Sequence, residues 1–98
     1  MKNKLEFIQV TESKFKTLRQ YVPIVARVHG EHHPEFYDVK KVFEEMVEKL
    51  ANSDQLNLDT EILKLREITN NYEVPGDVCE SYEAVYVMLK EIDDTYFG

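Results

Sequence analysis

Between Phe36 and Leu50 the apolar side chains recur in steps of three and four: Phe36, Val39, Phe43, Met46, Val47 and Leu50. That spacing draws one apolar stripe along a helix, while Lys40, Lys41, Glu44, Glu45 and Glu48 take the opposite face. A helix with one apolar face must bury it against other elements. Three further stretches supply matching stripes. Phe15, Leu18, Val22, Val25, Ala26 and Val28 mark a helix running through about residue 28. Leu58, Ile62, Leu65 and Ile68 mark a third. Val78, Tyr82, Val85, Leu89 and Ile92 mark a fourth, with Cys79, Tyr86 and Tyr96 beside them.

Punctuation between the stripes agrees. Leu5, Phe7, Ile8 and Val10 suit either an extended arm or early turns of the first helix. The reading favours the helix, although Thr11 or Ser13 could cap a fresh start. Pro23 removes the amide that would bond the Arg19 carbonyl, so a kink is expected there. Gly30 is expected to end the first helix in the left-handed conformation. Pro34 suits the first turn of the second helix, with Glu35 near the positive end of its dipole. Ala51 to Asp54 ends that helix. Asn57 or Asp59 can cap the third, Asn70-Asn71 breaks it, and Tyr72 to Gly76 is a loop. Asp77 can cap the fourth. Short connections between four amphipathic helices predict an all-α, antiparallel four-helix bundle, with residues 1–98 as one domain.

Charge narrows the function classes. The formal net charge is −7. Such a surface repels nucleic-acid phosphates and anionic membranes, so neither is expected as a partner. No stretch approaches the roughly 20 apolar residues of a membrane span, and the N-terminus shows no signal peptide. One cysteine, Cys79, cannot form an internal disulfide, which fits a reducing cytoplasmic setting.

All three histidines lie in Val28-His29-Gly30-Glu31-His32-His33-Pro34-Glu35. His29, His32 and His33 with Glu31 and Glu35 form the one candidate binding cluster, since imidazole and carboxylate are common metal ligands. They fall in or beside a turn. Helix capping and turn hydrogen bonds are therefore the simpler account, with His33 as a cap. Cys79 is flanked by Asp77 and Glu80, whose charge disfavours a thiolate, and no histidine is near it in sequence. It reads as a half-buried core residue. The tyrosines read as core edges with hydroxyls reaching water. The run Glu91 to Asp94 reads as a solvated end. No Glu-x-x-His pair occurs, and the inner stripes of the second, third and fourth helices read as apolar throughout.

Tyr21-Val22-Pro23-Ile24-Val25-Ala26-Arg27-Val28-His29-Gly30-Glu31-His32-His33-Pro34-Glu35 resembles the turn between the first two helices of the iron–sulfur cluster repair di-iron proteins, a family of hemerythrin-like domains. Leu65-Arg66-Glu67-Ile68-Thr69-Asn70-Asn71-Tyr72, followed by Pro75 and Cys79, resembles the third helix of that family and its loop into the fourth. The resemblance implies a four-helix bundle holding two irons, and a part in restoring iron–sulfur clusters under stress. It also implies ligand positions that this chain does not fill. The first-helix histidine would fall near Phe7 or Ile8. The second-helix His-x-x-x-Glu pair is replaced by Leu50 leading into Ala51-Asn52-Ser53-Asp54. The third-helix histidine would fall near Gln55, and the fourth-helix pair just beyond Gly98.

The expectation is therefore a bundle with a shortened fourth helix and no di-iron cofactor. It is not an enzyme, and it acts by binding a protein partner or a second copy of itself. The alternative is an iron protein of the repair class whose site is rebuilt, or shared in a dimer by His29, His32, His33 and Glu35.

Overall fold

The computed structural model describes residues 3–98. Met1 and Lys2, the start of the expected arm, lie outside the described residues. Four helices follow in order: α1 (Lys4–His29), α2 (Glu35–Asn52), α3 (Asp59–Ile68) and α4 (Glu80–Phe97). The expected all-α four-helix bundle is what forms.

Contacts at the helix ends set the directions. Phe7 near the start of α1 meets Tyr96 near the end of α4, with ring centroids 5.8 Å apart. His29 at the end of α1 meets Cys79 just ahead of α4. Lys4 bonds the carbonyl of Ser53, just beyond α2. Lys49, late in α2, pairs with Glu61, early in α3, at 2.9 Å. Tyr96 reaches Asp59, the first residue of α3. Each neighbouring pair therefore runs antiparallel. The long axis is 37 Å, close to the length of α1 at about 1.5 Å per residue.

α1 begins earlier than Thr11. Asn3 caps it, its side chain accepting the Glu6 amide at 3.2 Å, and the helix then passes through Pro23 as one element. α4 is as long as α2, at 18 residues each; α3 is the short helix, at 10.

Gly30 departs from expectation. Its φ is −57°, an ordinary right-handed value. Glycine is required there by crowding instead. A Cβ there would run into the Ala26 carbonyl oxygen and the ring of Tyr37. The left-handed residues are Asn70, Asn71 and Tyr72, at φ 52°, 60° and 64°. Asparagine tolerates this region better than most side chains; tyrosine does not. The strain at Tyr72 is offset by anchoring. Its amide donates to the Thr69 hydroxyl at 2.8 Å and its own hydroxyl donates to Asp93 at 2.7 Å.

The core is built from the expected stripes, except that Val28 near the end of α1 is 60% exposed. Phe7, Leu18, Phe36, Val39, Met46, Tyr82, Val85 and Ile92 are fully buried, and Phe15 stacks on Phe43 at 5.8 Å. The stripes are not wholly apolar, however. Glu61 on α3 and Asp93 on α4 are buried at 5% and 2% exposure. Asp93 is thus no solvated end. Arg66 clasps it with two bonds, of 2.7 and 2.6 Å. Burial pushes the Asp93 carboxyl up, but hydrogen bonds from Arg66 and Tyr72 outweigh it and hold the group below the usual carboxylate range.

Candidate functional site

The α1–α2 turn and the loop before α4 meet at one end of the bundle. Two local backbone facts shape the turn. The His29 carbonyl accepts the amides of His32 and His33, at 3.1 and 2.8 Å. The His33 carbonyl then accepts the Phe36 amide at 2.9 Å, which launches α2. Pro34 stands immediately before α2, already helical at φ −61° and ψ −22°.

These bonds separate the three imidazoles. His29, at the end of α1, points across to the loop before α4. Its Nε2 lies 3.1 Å from the Cys79 sulfur. His33 lies at 13% side-chain exposure between two carboxylates, with Nδ1 3.1 Å from Glu35 and Nε2 3.2 Å from Asp77. As an imidazolium it donates to both. His32 and Glu31 are exposed. The structure thus joins His33 to Glu35, sets the His29 and His33 rings 6.4 Å apart, and leaves Glu31 and His32 outside the cluster.

Tyr82 is the floor of the site. It is wholly buried, and the rings of His29 and His33 each meet it at 5.5 Å. Its hydroxyl does not reach water as expected; it bonds the Tyr86 hydroxyl at 3.2 Å. Burial pushes both phenols up, so they remain protonated at neutral pH.

Three expectations are corrected at this site. Cys79 is exposed, not a half-buried core residue. It precedes α4 as the N-cap in place of Asp77, whose carboxylate turns to His33. And the His33 side chain ties two connections together instead of capping α2. The Cys79–His29 pair spans 50 residues of sequence. The turn signal marked His29 alone; the helix directions supply its partner.

Comparison with known proteins gives a distant likeness. The chain is 23% identical, over 118 aligned positions, to an iron–sulfur cluster repair protein, ScdA, from Staphylococcus haemolyticus (strain JCSC1435). The match takes in 87% of this chain and 53% of that protein, so the chain spans about half the length of the curated relative it matches. No family model matches, and no solved structure does.

A pair of irons in a bundle needs several inward-facing carboxylates and imidazoles. The residues present do not fit that requirement. Among the described residues no group of three or more His, Cys, Asp or Glu side chains is placed to hold a metal ion. Those inward polar groups that exist are used. Thr11 and Thr69 donate to the carbonyls of Phe7 and Leu65, Glu61 pairs with Lys49, and Asp93 with Arg66 and Tyr72. Among the described residues no buried side-chain polar atom lacks a partner. No described helix is long and apolar enough to cross a membrane.

Proposed function

We propose that this chain is a cytoplasmic, hemerythrin-like relative of the iron–sulfur cluster repair proteins that works by binding another protein, without a di-iron centre and without catalysing a reaction. The interior carries this reading. The inner stripes carry Phe7, Val39, Phe43, Met46, Ile62, Leu65, Val85 and Leu89, all buried, and Phe7 falls where the resemblance implies the first-helix histidine. Ionised ligands are costly to bury without the metal that pairs with them, so an apolar interior suits a fold that stands alone. The distant likeness to a repair protein supports the class.

The surface supports the mode of action. Leu5 in the first turn of α1 and Phe97 at the end of α4 are 66% and 47% exposed. Nearby, Ile8, Phe15, Val47, Leu50 and Ala51 line an open groove between α1 and α2. Other large apolar side chains, Val28 and Tyr37 among them, are exposed at the opposite end, so the groove between α1 and α2 is the surface that suits a protein contact.

Metal analysis of protein purified anaerobically and without a histidine tag tests the first half. We expect no stoichiometric iron, and a melting temperature that a chelator leaves unchanged. Two irons per chain, with the absorption of a bridged pair, would restore the alternative of an iron protein with a rebuilt or dimer-shared site. Sedimentation across a hundred-fold concentration range tests for a second copy as the partner: rising mass identifies self-association, and constant mass directs the search to another protein.

A further inference from the structure

We propose that Cys79 is a thiol–disulfide exchange site, with His29 as its base and a small neutral or cationic disulfide as its reaction partner. The proposal rests on the pairing, not on the thiol alone. A nucleophile and a base within hydrogen-bond reach, the base held by a third group, is the arrangement that activates a sulfur. Here Nε2 of His29 is 3.1 Å from the sulfur. Tyr82 holds the base, its ring edge-on to the imidazole at 5.5 Å and 88°. Tyr82 is itself immobilised by full burial and by its bond to Tyr86. His33 does not compete for the sulfur, because Glu35 and Asp77 occupy both its nitrogens. Cys79 is exposed and stands immediately ahead of the 18-residue helix α4; because Asp77 and Glu80 flank it, proton transfer to His29 is what the attack depends on.

The step balances without an added oxidant. With His29 protonated on Nδ1, Nε2 takes the thiol proton. The sulfur attacks one sulfur of the disulfide, forming a new S–S bond as the old one breaks. The departing thiolate takes the proton back from the imidazolium. One thiol and one disulfide become a mixed disulfide and a free thiol. Residues 1–98 hold one cysteine, so no second thiol within them resolves the adduct. It persists until an outside thiol reverses it, which makes Cys79 a site of reversible modification.

Charge selects the partner. Asp77, at 74% side-chain exposure, and the exposed Glu80 flank the sulfur, on a chain of net charge −7. Anionic disulfides are repelled and cationic ones attracted.

The test is kinetic. Rates with cystamine (cationic), bis(2-hydroxyethyl) disulfide (neutral) and oxidised glutathione (anionic) are measured at pH 7. Each is divided by the rate of N-acetylcysteine amide with the same reagent, which cancels the intrinsic reactivity of the disulfide. A free cysteine is only a few per cent thiolate at pH 7. The lower nucleophilicity of a stabilised thiolate takes back most of the gain from fuller ionisation, so we expect about a three-fold excess over the model thiol with cystamine. The excess should be smaller with the neutral reagent and smallest with glutathione, and mass spectrometry should place the adduct on Cys79. His29→Gln should remove the excess, while His32→Gln, outside the cluster, should keep it. Circular dichroism checks that both variants fold. If His29→Gln does not fold, the wild-type ratio decides: a value at or below one with cystamine overturns the site. A His29→Gln variant as fast as wild type overturns the base. Equal ratios for cystamine and glutathione overturn the partner class.

Discussion

Removing Arg66 should strand a buried charge, and removing that charge as well should give stability back. Asp93 is 2% exposed, and Arg66 and Tyr72 satisfy its two oxygens. In Arg66→Ala the carboxylate keeps only the tyrosine hydroxyl. Breaking a buried pair from one side costs about 3–5 kcal/mol. The Arg66 side chain is 39% exposed, so water already screens part of the attraction, and the lower end, about 3 kcal/mol, is expected. Adding Asp93→Asn to Arg66→Ala removes the stranded charge, whose unmet desolvation is worth about 1–3 kcal/mol, while the amide oxygen still accepts from the Tyr72 hydroxyl. The double variant should therefore unfold at higher urea concentration than Arg66→Ala alone. The pH dependence has a definite sign. In the wild type the Asp93 carboxyl lies below its unfolded value of about 3.9. Its contribution is complete above that pH and is lost as pH falls through the folded value. In Arg66→Ala, burial, the largest influence on the group, is opposed mainly by the Tyr72 hydroxyl and raises the carboxyl, so that variant loses stability as pH rises through the raised value. The gap between the two proteins should then widen from pH 3.5 to pH 7. Urea titrations across that range provide the measurement. A double variant less stable than Arg66→Ala, or a gap that does not change with pH, would refute the reasoning.

Further substitutions probe packing. Phe43→Ala, at a residue 3% exposed and stacked on Phe15, should cost about 3–5 kcal/mol, whereas Glu44→Ala on the exposed face should change stability by less than about 0.5 kcal/mol; similar losses in urea would mean that the α2 stripe is misplaced. Gly30→Val should cost about 1–3 kcal/mol by driving a side chain into the Tyr37 ring, and Tyr37→Ala in the same chain should recover part of that loss, which a backbone-conformation effect would not allow.

The helices were legible because burial follows the three-four stripe, and at Phe36, Val39, Phe43 and Met46 it does so without exception. Asp93 was legible by the same rule and was missed. It continues the Tyr86 and Leu89 row, but its acidic neighbours suggested solvent. Glu61 sits beside Ile62 on the inner stripe for the same reason. Gly30 matters through crowding by the Ala26 carbonyl and the Tyr37 ring, not through a left-handed backbone, and where that ring folds back is not a local signal. The adjacent asparagines before Tyr72 marked the break, but not that Tyr72 would join them in the left-handed region. The Cys79–His29 contact could not be read at all. No local pattern links residues 50 positions apart until the directions of α1 and α4 are known.

α3 also depends on distant chain for its own start. A 10-residue helix is marginal in water by itself. Leu58, the residue ahead of it, lends no side-chain cap, and its amide instead donates to the Tyr96 hydroxyl at 2.9 Å. That hydroxyl in turn donates to Asp59. α3 is thus held from two sides: along its length it packs on α2, where Lys49 pairs with Glu61, and its first turn is tied to the end of α4 through Tyr96. An event that peels back the end of α4 frees the start of α3 while its packing on α2 remains, so fraying at the end of the chain is felt at a helix start 38 residues earlier.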